Sequence, residues 1–509
     1  MRKLIFILSF LTCLCFSCSW NDEETDSKKS ESELQVQTQT DILFMMYMDG
    51  DNNLSDFSWE NIILAQKGLM KLDSAAKITV VALVDGNSGY SQKYPTDGKS
   101  YLLTLNGYTE AEVSSAENTI PLISSATVNH SKNVNWIYNA TGTASQEVDM
   151  SAGNTLFYFL KWANTNYKAK KTIFIIQNHG GGPYNESFTS ISARSLCWDD
   201  TTGTKRYISN KDISNAINWT FGKIDMLVED VCEESAIELI YGLQGAVNYI
   251  VASPNITNAC TFNYDKIIPF ASRGASIPEI GKKFIDYNKA SVENETLRKP
   301  ETKINDPSCM EFSMTLIDCS KAETLNRIKI HTGELADAIL SDKKSYKWYY
   351  SSPRIGKLVK NSTENFYGFS YETKYFYTQD LGVMSYMLAY KTEGASEAVK
   401  NAAKNLYTDF KDGGLIVYGW AGGKENSWYY SGDSSYGKTD GTAGDFLRTT
   451  LANGICPWGI SITCDYKIIT ETSGTKYIYQ IDDYSQWSEF GDSNRWAVLL
   501  KSRWHEIMK

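Results

Sequence analysis

One histidine and one cysteine stand out among the residues that could perform covalent chemistry. His179 is one of only 4 histidines, and it stands in the glycine-rich run Asn178-His179-Gly180-Gly181-Gly182. Cys232 follows about 50 residues later. A cysteine nucleophile needs a nearby base or cation to form its thiolate, and His179 could serve as that base. The backbone N–H groups of Gly180 and Cys232 could then stabilise an oxyanion.

Both residues follow apolar runs that are typical of buried parallel strands. Strand-length runs of this kind occupy 42–48, 78–84, 172–177, 224–229 and 247–252. Segments with helical spacing separate them. The alternation predicts an α/β protein with a mostly parallel sheet, in which functional residues gather at the carboxyl ends of strands. His179 and Cys232 should therefore meet at one edge, and a helix beginning at residue 233 would lower the pKa of Cys232.

Each residue alone also has a simpler interpretation. A lone loop histidine is more often structural, and a lone cysteine is more often an inert buried thiol. Their joint position at the ends of neighbouring predicted strands favours a Cys–His site.

Several segments together resemble the clostripain family of cysteine peptidases, in the caspase, legumain and gingipain clan. The matching segments are Tyr47-Met48-Asp49-Gly50-Asp51-Asn52-Asn53-Leu54, Val84-Asp85-Gly86, 178–182, Asp230-Val231-Cys232, 312–318 and 414–418. The resemblance covers roughly residues 41–420. It implies a caspase-like sheet with helices on both faces, a mixed α+β C-terminal region, and a catalytic dyad of His179 and Cys232.

The implied reaction is hydrolysis of peptide bonds through an acyl-enzyme. Asp230 precedes Cys232 by two residues, so on a strand both side chains would point to one face. A carboxylate there could pair with a substrate Arg or Lys, and the resemblance implies the same preference for a basic P1 residue. Glu234 and the segment 253–255 depart from the family pattern, which leaves Arg over Lys selectivity open. Capping of the following helix is the alternative role for Asp230.

Some relatives mature by cutting themselves after a basic residue between the histidine and the cysteine. Arg194 is the best candidate here, because it ends the Ser/Thr-rich stretch 187–194. An uncut surface loop is the alternative.

The expected mechanism requires no cofactor, and we assign no metal ligand from the sequence. Calcium is associated with clostripain itself, and the pairs Asp49/Asp51 and Asp199/Asp200 could offer oxygens. No EF-hand spacing is present, however, and Asp51 could instead cap a helix. Calcium is therefore possible without the support of a specific motif.

The N-terminus indicates export. A basic start and an apolar run to Leu11 are typical of a secretory signal. The end of that run resembles a bacterial lipoprotein box, with Cys18 as the lipidated residue, and the acidic stretch 19–24 is similar to a tag for the cell surface. A plain secretory signal, giving a periplasmic or secreted protein, is the alternative.

Composition limits the classes of partner. A net charge of −10 argues against nucleic acid or an anionic membrane surface as the main partner. We expect protein or peptide substrates, with the membrane contacted only through a lipid anchor. The predicted organisation is a signal peptide (1–18), a flexible tether (19–40), a catalytic domain (41–300), a C-terminal family region (301–425) and a β-rich tail outside the family match (426–509).

Three functions remain open from the sequence. The favoured one is a cell-surface cysteine endopeptidase that cleaves after Arg, with Lys as an alternative. A non-catalytic surface lipoprotein could use the same scaffold and an aromatic tail to hold peptide or glycan. The third is a peptidase of the same clan with a preference for acidic residues or Asn.

Overall fold

The computed structural model describes the chain in segments, and every structural statement below concerns these. They are residues 37–90, 100–105, 147–180, 182, 196–201, 208–254, 257, 262–293, 311–342, 370–372, 376–390, 392, 394–423, 427–431, 459–466, 468–470, 476–478, 490 and 495–501. The predicted signal peptide, including Cys18, and the self-processing candidate Arg194 lie outside them.

Apolar runs of the N-terminal half form the parallel centre of one large sheet. Its strands are β1 (Thr38–Gly50), β2 (Ile78–Gly86), β4 (Tyr167–Gln177), β5 (Ile224–Asp230) and β6 (Val247–Ala252), with β3 (Tyr101–Leu105) antiparallel at one edge. All five predicted strands are confirmed. The predicted tether is slightly too long, because β1 begins at Thr38.

Later segments extend the same sheet in the antiparallel direction. These strands are β7 (Glu311–Asp318), β10 (Ile416–Gly423) and β11 (Ser427–Ser431). The full order is β11-β10-β7-β6-β5-β4-β1-β2-β3. The sheet is therefore mixed, with a parallel core, as the caspase-like α/β prediction requires.

Helices cover both faces of the sheet. They are α1 (Ser55–Met70), α2 (Gly153–Asn166), α3 (Asn210–Thr220), α4 (Ile237–Leu243), α5 (Tyr264–Ala271), α6 (Ile277–Glu293), α7 (Ala322–Asp342), α8 (Leu381–Tyr390), α9 (Glu397–Asp412) and α10 (Trp496–Lys501). Alternate residues of β1 contribute to two separate hydrophobic clusters, one on each face of the sheet. Leu43, Met45 and Tyr47 belong to the first cluster, and the residues between them belong to the second. Helices α1, α5 and α6 contribute buried residues to the second cluster. The remaining helices contribute buried residues to the first cluster, which contains Leu43, Met45 and Tyr47.

Short strands form two further sheets near the C-terminus. They are β8 (Ser370–Glu372), β9 (Phe376–Asp380) and β12 (Ser461–Tyr466) in one sheet, and β13 (Ile468–Thr470) and β14 (Lys476–Ile478) in the other. Strand β12 contacts the chain that follows Cys232, because the Ser461 N–H donates to the Ser235 carbonyl at 2.8 Å. The tail thus has a direct contact with the candidate site.

The helix predicted to begin at residue 233 begins instead at Ile237, after the N-cap Ala236. Glu233 has a φ of 65°, in the left-handed region, which interrupts any right-handed helix there. Cys232 is therefore not at a helix N-terminus, and that expected contribution to its pKa is absent.

Two further observations concern the cysteines and the membrane. Cys319 is a free, buried thiol. Among the helices that the structure describes, none has the length and apolar character needed to cross a bilayer.

Candidate active site

Register between two neighbouring parallel strands places His179 and Cys232 at the same edge of the sheet. Strands β4 and β5 pair Gln177 with Asp230. His179 and Cys232 each follow that pair by two residues, so both lie just beyond the carboxyl ends of adjacent strands. The edge expected from the sequence is the one observed.

Backbone packing between Gly180 and Cys232 joins the two strand ends. A Cβ added to Gly180 would overlap the Cys232 carbonyl oxygen and would lie 2.8 Å from the Cys232 backbone nitrogen. Only glycine allows this approach. The two backbone donors expected to stabilise an oxyanion are therefore side by side.

The His179 ring is held by an amide on the loop between β1 and α1. Its Nε2 lies 2.8 Å from Oδ1 of Asn53. An amide oxygen only accepts hydrogen bonds, so Nε2 is the donor in this contact, and in the neutral ring the lone pair then lies on Nδ1. Sequence reasoning noted Asn53 only as part of a family-like turn and missed this contact.

Two asparagines attach the histidine loop to its surroundings. The Asn178 side-chain amide donates to the Asp49 carbonyl at 2.8 Å, and the Asn52 amide donates to the Trp198 carbonyl at 2.7 Å. The Asn178 side-chain oxygen also accepts from the His179 N–H. The β1–α1 loop and the 196–201 segment therefore position His179 jointly.

The Cys232 thiol is partly exposed and contacts Thr257. The Thr257 N–H donates to the Cys232 sulfur at 3.4 Å, and the carbonyl and hydroxyl oxygens of Thr257 lie 3.8 Å away. Desolvation raises the pKa of Cys232 to about 11, against the opposing effect of N–H groups from Thr257 and Gly180. Desolvation thus favours the thiol form of Cys232 over the thiolate.

Asp230 is buried on the face that α1 and α5 cover. Its Oδ2 accepts from the Asn61 amide at 3.4 Å. The pKa of Tyr264, on α5, is raised well above its usual range by burial and by the nearby Asp230 charge. The alternative role of Asp230 as a helix cap is wrong, since Ala236 is the N-cap of α4 and makes no side-chain cap.

Glu234, one of the departures from the family pattern, supports the glycine loop. Gly182 adopts a φ of 74°, and its N–H donates to the Glu234 carboxylate at 3.3 Å. The carboxylate thus contacts the histidine loop from the chain that carries Cys232.

Acidic residues suited to a hard cation converge elsewhere, beside the start of α1. Asp51 and Asp199, both considered from the sequence, lie together with Glu147, and one carboxylate oxygen of each lies within 4.8 Å of those of the other two. The expectation that Asp51 caps α1 is wrong: the N-cap is Leu54, without a side-chain cap, and Asp51 accepts instead from the Asn87 amide at 2.8 Å.

Comparison with known proteins supports the family resemblance. The family model described as the clostripain family matches residues 46–504. The expectation that the tail after residue 425 lies outside the match is therefore wrong. Clostripain of Hathewaya histolytica is 24% identical over 310 residues, which cover 56% of this chain and 54% of that protein. The chain thus spans about half the length of this curated relative.

Two solved structures are also similar to this chain. A secreted C11 cysteine protease from Bacteroides thetaiotaomicron, in complex with an irreversible peptide inhibitor, is 16% identical with a TM-score of 0.49, over 89% of this chain and 100% of that one. An inactive zymogen C11 protease from Parabacteroides distasonis is 14% identical with a TM-score of 0.48, over 93% and 100%. Such scores are too low to carry the fold assignment, which rests on the sheet topology and the family match.

The substitution Gly180→Ala should disturb the site specifically. Its methyl group would overlap the Cys232 backbone, so one strand end must move, at a cost of about 1–3 kcal/mol in the free energy of unfolding. Urea denaturation measures this cost. Gly242→Ala is the matched control, because nothing lies within 4 Å of a Cβ added there. Equal stability of the two variants would contradict the packing.

Alkylation of Cys232 should report its raised pKa. Because only the thiolate reacts, the rate of iodoacetamide labelling should keep rising up to about pH 11. Mass spectrometry of the labelled peptide measures the rate, and Cys232→Ala gives the background from other thiols. A plateau near pH 8–9, as for an ordinary cysteine, would contradict the effect of desolvation on the thiol pKa.

Proposed function

Because this chain belongs to the clostripain family, we propose that it is a cysteine endopeptidase in which Cys232 is the nucleophile and His179 the general acid and base. The observation that carries the proposal is the packing of Gly180 on the Cys232 backbone at the paired ends of β4 and β5. This packing supports a single site made of the histidine loop, two backbone N–H groups and the Cys232 thiol.

The proposed reaction follows from the protonation state of both side chains. The Cys232 thiol passes its proton to Nδ1 of His179 as the sulfur attacks the scissile carbonyl. The carbonyl oxygen takes up negative charge beside the N–H groups of Gly180 and Cys232. His179 then protonates the leaving amine, and water, deprotonated by the same ring, hydrolyses the thioester and restores the thiol.

Asn53 is the proposed positioning residue. Its Oδ1 accepts from Nε2 of His179 and so keeps the basic lone pair on Nδ1. The described contact of Asn53 is with the His179 ring, so we expect it to act through the orientation and tautomer of that ring.

Asp230 supports a preference for a basic P1 side chain. It is a carboxylate buried to 4% exposure, two residues before the nucleophile, at the end of β5. An arginine side chain that reached it would form a charge-assisted pair in a low-dielectric setting, which favours Arg and then Lys over neutral residues.

Export and maturation complete the proposal. The N-terminal sequence supports a lipoprotein anchored through Cys18, and Arg194, between the two catalytic residues in sequence, is the proposed site of self-cleavage. Both rest on the sequence pattern.

Fluorogenic peptides with Arg, Lys, Asp or Asn at P1 test the activity. The wild-type protein should hydrolyse the Arg and Lys peptides, and Cys232→Ala should lose about 10³-fold or more of kcat/KM. In Asp230→Asn, the preference for Arg and Lys peptides over Asp and Asn peptides should fall by about 10²-fold. Cys232 should still be alkylated in this variant. Hydrolysis that survives Cys232→Ala would contradict Cys232 as the nucleophile, and hydrolysis of none of the peptides would favour the binding lipoprotein.

Variants of Asn53 test the positioning role. Asn53→Ala should lower kcat by about 10- to 100-fold with little change in KM, because the ring loses its orientation rather than the substrate its contacts. Asn53→Asp keeps an acceptor and should restore part of kcat. Its added charge favours the imidazolium, so the acid limb of the pH–rate profile should move to higher pH.

Asn218→Ala, which removes an exposed amide on α3, is the matched control for Asn53→Ala. A purely structural role for Asn53 would lower stability without moving the pH profile. Equal pH profiles for Asn53→Asp and the wild type would therefore contradict the assignment.

A further inference from the structure

Helices α2 and α3 present an aromatic pair at the protein surface. Trp219, in the last turn of α3, is 70% exposed. Its ring meets the edge of the Phe157 ring on α2, with centroids 6.1 Å apart. The ammonium group of Lys161, four residues further along α2, lies 5.6 Å from the Phe157 ring centroid. An exposed indole beside a lysine is the combination that favours a membrane–water interface.

The charges around this pair are mostly positive, although the whole chain carries a net charge of −10. Helix α2 contains one charged residue, Lys161, and α3 contains Lys211 and Asp212. Asp212 closes the capping box at the start of α3. The two helices lead to Lys168 and Lys223, which are exposed and form no salt bridge with a described residue. The net charge of the chain therefore hides a locally basic surface.

The carboxylates at the nearby amino ends of the strands already have partners. Asp41 of β1 pairs with Lys170 of β4 at 2.7 Å. The Asp225 carboxylate, on β5, accepts from the Thr172 N–H at 2.8 Å. Neither carboxylate therefore offsets the charges of Lys168 and Lys223.

The chain enters the described fold beside the same surface. The Gln37 amide donates to the Asn164 carbonyl at 2.7 Å, and the Asn164 amide donates to the carbonyl of Thr220, next to Trp219, at 2.8 Å. Eighteen residues, 19–36, separate Cys18 from Gln37. A flexible tether of this length has an end-to-end distance of about 20–25 Å, so a lipid on Cys18 would hold this surface close to the membrane.

We propose that this surface binds an anionic lipid bilayer, a contact beyond the lipid anchor itself. We call its residues the docking face: Phe157, Lys161, Lys168, Trp219 and Lys223. The indole enters the interfacial layer, and the lysines contact headgroup phosphates. The tether makes this contact intramolecular, so a weak affinity is sufficient to keep it formed. The inference rests on the lipid anchor of the proposed function for its proximity to the membrane, and not on the peptidase chemistry.

Binding through the docking face directs the candidate site away from the bilayer. Helices α2 and α3 end near the amino ends of β4 and β5, whereas His179 and Cys232 follow the carboxyl ends of these strands. The 11 residues of β4 separate the two edges by roughly 33 Å. The site would then be open to substrates in the surrounding medium.

Co-sedimentation of residues 19–509 with lipid vesicles tests the docking face. The predicted signal peptide and Cys18 are left out because an apolar signal or an acyl chain would bind vesicles by itself. Gln37–Lys509 forms a compact unit of its own, so the described fold is kept. The protein should bind vesicles of equal parts phosphatidylglycerol and phosphatidylcholine, and should bind phosphatidylcholine alone more weakly.

Salt provides a second criterion for the same contact. Binding to the anionic vesicles should fall in about 1 M NaCl, where the screening length is about 3 Å. Absence of binding to anionic vesicles at low salt would overturn the proposal.

Variants of the docking face should weaken vesicle binding without unfolding the protein. Trp219→Ala should lower the partition constant by about 10-fold or more, because an indole leaves the interface. Lys168→Gln and Lys223→Gln should each lower it by about 5-fold. Their melting temperatures should equal that of the wild type, because all three side chains are exposed.

Two matched controls remove the same kinds of side chain elsewhere. Tyr90→Ala removes an aromatic ring that is 51% exposed and follows β2 at the carboxyl edge of the sheet. Lys404→Gln removes an exposed lysine of α9. Both controls should bind vesicles as the wild type does. Losses in the controls equal to those in Trp219→Ala and Lys168→Gln would overturn the assignment to the docking face.

Labelling of the full chain with an alkyne fatty acid in the expressing cell tests the anchor separately, with Cys18→Ala as its control. A chain that is not lipidated but whose residues 19–509 bind vesicles would support the docking face and remove the anchor. A lipidated chain whose residues 19–509 do not bind vesicles would overturn the docking face alone. A dimer that Trp219→Ala dissociates, without vesicle binding, would assign the face to a second copy of the chain and would also overturn the proposal.

Discussion

The close approach of Gly180 to the Cys232 backbone is the constraint on which the candidate site depends. Parallel pairing of β4 with β5 brings the two strand ends to one edge, but strand spacing alone leaves neighbouring chains about 4.7–4.9 Å apart. A residue without a side chain lets the histidine loop come closer than that. The loop is then fixed from three directions: by Asn53 at the ring, by Asn178 at the backbone, and by Glu234 at Gly182.

A thiol with a raised pKa is consistent with this geometry. Among the described residues, Cys232 has neither a helix N-terminus nor a positive charge among the causes that act on its pKa, and the Glu233 charge raises that pKa. In the proposed reaction, activation therefore coincides with attack, when His179 accepts the proton. This makes the tautomer of His179 decisive, since a ring with its lone pair turned toward Asn53 could accept nothing from the sulfur.

The sequence predicts the parallel centre of the sheet because each strand is a continuous apolar run, and it predicts the shared edge because parallel topology requires it. Two kinds of feature escape such reasoning. The first is local: Glu233 adopts a left-handed conformation that its residue type does not favour, and the helix after Cys232 starts later as a result. The second is non-local: Asp85 and Glu147 approach Asp51 only through folding, and no spacing in the sequence links them.

The C-terminal segment illustrates the same limit at a larger scale. Its aromatic composition suggested a separate β-rich unit with a groove for peptide or glycan. Its described part contacts the chain that follows Cys232: the Ser235 hydroxyl donates to the Gly459 carbonyl at 2.6 Å, and the Thr463 N–H donates to Glu238 at 3.0 Å. Both acceptors and donors are buried, so these bonds contribute more than surface contacts of the same length. Because α4 has only 7 residues and its N-cap makes no side-chain hydrogen bond, the turn that carries Cys232 depends on this distant segment for much of its order.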